Sequence, residues 1–136
     1  GGFRGDYFLY WEDVDLSRRA AAAGMGLVIR NDLVATHDEG GTHNQDGSRA
    51  KSALYYYYNT RNRLLFASRI VPRGQWRSWV LATPAESYRI WLRGGRRQLF
   101  TRPMGLLAAV RGTLAGLWYL RPGTHVDGSP SSRASA

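Results

Sequence analysis

The sequence predicts an α/β protein in two unequal parts: a mixed helix-and-strand unit over residues 1–50, then basic, aromatic-rich α-helices over 51–120, with a disordered tail over 121–136. Three features predict it. A helix-forming stretch near the N terminus is followed at once by two short β-branched runs. From Ser52 onward apolar and aromatic residues recur at helical spacing, and the charge reverses sign between the two parts. Residues 1–48 carry four arginines against eight acids, whereas residues 49–136 carry fifteen Lys and Arg against only Glu86 and Asp127. An acidic front suits a site that works with carboxylates, and a basic back suits a surface that meets anions. Fourteen of the fifteen rear cations are Arg, whose planar fork favours phosphate recognition and interfacial packing. The 136 residues suit one modest domain or a piece of a larger one, and the opening "GGFRGDYF", with no initiating Met, reads as the middle of a longer protein. Cysteine is absent, which excludes a disulfide framework and a thiolate metal site.

The elements follow in order. Residues 12–23 are helical in composition, with Ala20 to Ala23 as strong formers, acids in the first turn and Gly24 as the C′ residue. "GLVIRN" and "LVATHDEG" read as strands, with Asn31 and Asp32 turning between them, and "GGTHNQDGSRAKS" as a polar loop. A second helix takes Ser52 as N-cap and stops before Pro72. "WRSWVLA" makes a short helical turn or two. "TPAE" at Thr83 to Glu86 then reads as a capping box with Pro at the first helical position, opening a separate helix to about Arg93. "PMGLLAAVRGTLAGLWYL" forms the last helix, bracketed by Arg102 and Arg121.

Glu12, Asp13 and Asp15 place three acids in four positions. An isolated cluster of this kind normally caps and polarises a helix start. Here Tyr10 and Trp11 precede it, and an aromatic wall beside a carboxylate is a common way to bind a sugar. His37 ends the next strand pair, where it can converge with the helix start on one pocket.

"GGFRGDYFLYWEDVDLSRRAAAAGMGLVIRNDLVATHDEGGT" with the later "YYYYNTRNRLLF" resembles the C-terminal half of an inverting family-2 glycosyltransferase, and within that family the rhamnosyltransferase-like enzymes of bacterial surface polysaccharide synthesis. The resemblance runs from Gly1 to about Phe66. It implies the C-terminal part of a GT-A (Rossmann-like) domain, with the nucleotide-binding half and its Asp-x-Asp motif upstream. It implies Asp13 as the general base that deprotonates the acceptor hydroxyl, Glu12 and Trp11 as acceptor-binding residues, and His37 as a ligand to a divalent metal, Mg²⁺ or Mn²⁺. An inverting transfer needs one carboxylate base in line with the anomeric carbon, while a cation neutralises the departing nucleoside diphosphate. The implied donor is a nucleotide-diphosphate sugar, with rhamnose as the family-level expectation, and the acceptor is a glycan or a polyprenyl-linked glycan. The implied location is cytoplasmic, at the inner face of the bacterial cell membrane. The segment by itself is expected to be inactive.

Arg61 and Arg63 project from an aromatic helix and are candidates for contact with a donor diphosphate or a lipid pyrophosphate. Trp76, Trp79, Trp91, Trp118 and Tyr119 alternate with arginines, the composition of helices at an anionic membrane surface. Residues 104–120 are too short for a comfortable span, and Arg111 near their middle costs about 2.5–3.5 kcal/mol at a bilayer centre, so a peripheral helix is expected. Two alternatives remain on composition: a basic nucleic-acid-binding module, and a non-catalytic membrane-associated helical protein. The acidic front half would repel phosphate, so no nucleic-acid partner is expected.

Overall fold

The computed structural model describes residues 2–34, 51–93, 95–96 and 103–121. Among the described residues, four α-helices account for the regular structure: α1 (Glu12–Ala22), α2 (Ala53–Ile70), α3 (Trp76–Leu92) and α4 (Pro103–Trp118), with a 3₁₀ turn at Arg73–Gln75 leading into α3. Among the described residues there is no strand and no sheet. The expected α/β, GT-A-type domain is therefore corrected to an all-helical arrangement. The physical reason lies in residues 26–34. Their apolar residues include three β-branched ones, yet these, Val28, Ile29 and Val34, are 79%, 90% and 92% exposed. A strand exists only by pairing with another and burying a face, and intrinsic β preference of about 1 kcal/mol cannot replace a missing ladder. A short local ion pair, Arg30 Nε to Asp32 Oδ1 at 2.7 Å, holds the turn instead. Residues 35–50, which include the rest of the expected second strand and the polar loop, lie outside the described residues, as does the expected tail from residue 122.

The helix ends follow local chemistry. The Ser52 hydroxyl accepts the Tyr55 amide at 3.1 Å, and the helix stops at Ile70, two residues before Pro72. At the end of α1, Gly24 takes φ +76°, the Met25 amide donates to the Ala20 carbonyl and the Gly24 amide to that of Ala21. This is a Schellman closure, and it needs a residue without a Cβ penalty at C′. The expected helix start at Thr83 is also corrected. Residues 76–92 form one helix with Pro84 inside it. Proline removes the donor that the Val80 carbonyl would use. The Thr83 hydroxyl turns back to the Trp79 carbonyl at 2.8 Å, and Arg63 donates to both that carbonyl (3.1 Å) and Thr83 Oγ1 (2.9 Å). These bonds tie the turn before Pro84 to α2.

α2 is the spine. Every residue from Asn62 to Ala67 is buried, because neighbours cover it on all sides. One core cluster joins Tyr56 to Ile90 and Trp91 of α3 and Ala109 of α4. A second joins Leu65 and Phe66 to Tyr7, with Trp11, Trp79 and Tyr119 packed around it. α4 approaches α2 through a stripe of small residues, Gly105, Ala109, Gly112 and Gly116, all buried. A Cβ on Gly112 would sit 2.2 Å from the Tyr57 carbonyl oxygen and 2.3 Å from Thr60 Oγ1. The Thr60 hydroxyl lies 3.0 Å from the Ala109 carbonyl and donates across the same interface. Backbones this close allow dispersion contact along the whole helix, which is what the small-xxx-small pattern provides.

The N-terminal loop is tied to α2 by charge. Arg69 donates to the Asp6 carboxylate, and its guanidinium lies over the Tyr7 ring, 5.6 Å from the centroid. The Arg69 hydrogen bond holds the Asp6 carboxyl below its ordinary 3.8. Because the folded value is the lower one, the contribution is present above 3.8 and disappears as pH falls through the folded value. Asp6→Asn should therefore lower the thermal midpoint at neutral pH and flatten its decline below pH 3.8, with no difference from the parent in strong acid. Gly112→Ala should destabilise by about 1–3 kcal/mol in urea unfolding, because the clash with α2 outweighs the helix-propensity gain of about 1 kcal/mol. Gly74→Ala, with open space around it, should stay near neutral.

Candidate functional site

The site forms where the loop before α1 crosses α2. Asn62 is fully buried, and its amide nitrogen donates to the carbonyls of Leu9 (2.6 Å) and Tyr10 (3.0 Å). These bonds hold two successive non-glycine residues in the left-handed region, Tyr10 at φ 65° and Trp11 at φ 72°. Each costs about 1–3 kcal/mol and persists only where surroundings over-determine it. Aromatic packing adds to the hold: Tyr10 meets Tyr55 edge-on with centroids 5.0 Å apart, and Trp11 packs on Phe66 at 5.4 Å. The sharp turn brings α1 out with its first residues facing the N-terminal part of α2.

The result is an open cavity of about 340 Å³ at the head of α1. Tyr10 and Trp11 form its aromatic wall, Glu12 and Asp13 its acidic floor, and Asn59 and Arg93 its far side. Asp13 is exposed, and one of its oxygens accepts the Val14 amide at 2.8 Å. Glu12 is half-buried, and its Oε2 is a buried acceptor without a hydrogen-bond partner among the described residues. A buried carboxylate oxygen left unmatched costs about 1–3 kcal/mol, which an incoming hydroxyl or amide would recover. Arg93 is held over the cavity by donation to the Tyr55 hydroxyl at 3.2 Å. Burial, then the nearby Tyr55 and Glu12, push the Tyr10 phenol above its ordinary value, so it stays a neutral donor. An aromatic wall, two carboxylates, an amide and a guanidinium are the groups that bind a polyhydroxylated ligand.

Trp11, Glu12 and Asp13 all line this one cavity. The third acid of the motif does something different. Asp15 is fully buried and accepts Arg19 Nε at 2.7 Å, with the Tyr7 hydroxyl at 3.4 Å and Arg4 Nε at 3.9 Å. It locks α1 to the N-terminal loop. Arg61 and Arg63 do not line the cavity. Arg61 donates to the Asp6 carbonyl (3.1 Å), to Asn62 Oδ1 (2.6 Å) and to the Tyr119 hydroxyl, so it links the loop to the end of α4. Arg63 is buried against α3, stacked 4.6 Å from the Trp79 ring centroid. His37 lies outside the described residues.

Among the described residues no three His, Cys, Asp or Glu side chains gather to hold a metal ion. The cavity also places Arg93 with Glu12 and Asp13. His37, the ligand that the resemblance implies for Mg²⁺ or Mn²⁺, lies outside the described residues. Sequence reasoning missed Tyr10 as a neutral donor, and Asn59, Asn62 and Arg93 altogether. Asn59 and Asn62 carried one readable signal, buried-side amides on an aromatic helix. Arg93 carried none, since only the packing of α3 brings it near α1. No protein-family model matches the chain, and neither does any curated protein or solved structure.

Removal of the Asn62 amide should be felt at the cavity before the core. Asn62→Ala should cost about 1–3 kcal/mol in denaturant unfolding, because two part-buried carbonyls of the loop lose their donor. Trp11 should become more exposed, read as increased acrylamide quenching relative to a Trp11→Phe background.

Proposed function

We propose that this chain supplies the acceptor side of an inverting glycosyl transfer. The observation that supports it most is the shared cavity: the exposed Asp13 carboxylate, the unmatched Glu12 Oε2, and the Tyr10–Trp11 wall. In this scheme the acceptor sugar stacks on the aromatic wall while Glu12 and Asn59 hold its neighbouring hydroxyls. The reacting hydroxyl gives its proton to Asp13 as its oxygen attacks the anomeric carbon of a nucleotide-diphosphate sugar. The new glycosidic bond forms with inversion, the bond to the nucleoside diphosphate breaks, and that leaving group departs with the electron pair. General-base assistance of this kind is worth about 10²–10⁴ in rate. Arg93 suits the phosphate of a lipid-linked acceptor, because guanidinium and phosphate pair bidentately. We assign donor binding to protein outside this chain.

No helix among the described residues is long and apolar enough to cross a membrane. A polyprenyl-linked acceptor would bring the enzyme to the inner face of a bacterial membrane peripherally. Asp13→Asn, made in the intact enzyme that contains this segment, should lower single-turnover transfer by about 10²–10⁴ while acceptor affinity changes only a few-fold. Glu12→Gln should chiefly raise the acceptor KM. Transfer by Asp13→Asn at the parental rate would remove Asp13 as the base.

A further inference from the structure

We infer that α4 rests its outward face in the headgroup and acyl boundary of an anionic phospholipid bilayer. The observation is independent of sugar transfer. A helix on the surface of a globular protein normally turns large apolar residues inward and polar ones outward. α4 does the reverse. Its inward stripe holds three glycines and an alanine, while Leu107, Val110, Leu114 and Trp118 are 48%, 48%, 63% and 56% exposed. These four fall at i, i+3, i+7 and i+11, one stripe opposite the α2 contact. The apolar surface continues onto α3, where Tyr88 is exposed beside an apolar groove of about 360 Å³ between the two helices.

Charge decides what covers this surface. Exposed Arg111 lies on the same side of α4, and Arg121 follows its end, 4.3 Å from the Trp118 ring centroid. α4 has no acidic residue, and the single acid of α3, Glu86, is already paired with Arg89 at 2.6 Å. A symmetric second copy would set Arg111 against Arg111 with no carboxylate between them. A nucleic-acid backbone would answer the arginines and leave the leucines in water. Only a surface that is anionic outside and apolar beneath satisfies both. At 16 residues, α4 is about 24 Å long, short of the roughly 30 Å hydrocarbon core, so it lies in the plane.

The test uses the full chain and vesicles of phosphatidylcholine mixed with phosphatidylglycerol, against vesicles of phosphatidylcholine alone. Flotation should recover the protein with the mixed vesicles, with recovery falling as salt rises. Leu107→Glu with Leu114→Glu should weaken binding at least about tenfold, and Arg111→Gln about fivefold, with unchanged far-ultraviolet circular dichroism. Trp118→Phe, a conservative change at an exposed position, should remove most of the vesicle-induced blue shift in tryptophan emission. Equal binding to both vesicle types overturns the inference, as does binding that survives the paired glutamates. A concentration-dependent dimer without vesicle binding overturns it too and assigns the face to a second copy.

Discussion

The buried amide of Asn62 is the interaction on which the candidate site depends. It donates to two consecutive carbonyls of the loop, those of Leu9 and Tyr10, and accepts from Arg61. Two left-handed residues cost about 1–3 kcal/mol each, and two net hydrogen bonds return only about 0.5–1.5 kcal/mol each. Tyr7, buried against Leu65 and Phe66, and Trp11, partly buried on Phe66, add apolar contact to that hold. The turn that sets Glu12 and Asp13 beside an aromatic wall is therefore held by α2, not by α1. A helix start capped only by its own acids would have no reason to point there.

The arginines divide along the same line between local and tertiary effects. Arg61 and Arg63 stand two residues apart on a helix, so about 200° separates their directions. One reaches the N-terminal loop and the end of α4, while the other enters the α2–α3 interface. Burial lowers the Arg63 pKa, but the Trp79 ring, the Trp79 carbonyl and the Thr83 hydroxyl provide for the charge there. Arg69 and Arg19 likewise hold the chain to itself through Asp6 and Asp15. A net charge of +9 overstates what a ligand could meet, because several cations are structural. Arg93 is exposed at the cavity and Arg111 on α4.

The α2–α4 contact links fold and surface in another way. Close approach of two backbones requires small residues on the inner stripe, and most of the remaining α4 residues are apolar, so the larger ones face outward. The same choice that packs the bundle thus creates an exposed hydrophobic surface of the kind that marks an interface.

The sequence by itself determined the helices and their punctuation. Ser52 caps α2, Pro72 follows its end and Gly24 closes α1, because caps and turns depend on groups within a few residues of one another. It also singled out Trp11, Glu12 and Asp13, which adjacency alone keeps together. Tertiary structure decided the rest. Residues 26–34 have strand-like composition and form none, since pairing is a property of two segments. Pro84 lies within α3, whose preceding turn Arg63 ties to α2. Arg93 and Asn59 complete the cavity, since only the packing of α3 and α2 brings them to the head of α1. Local hydrogen bonds are written in neighbouring residues, whereas burial and convergence depend on which distant surfaces meet.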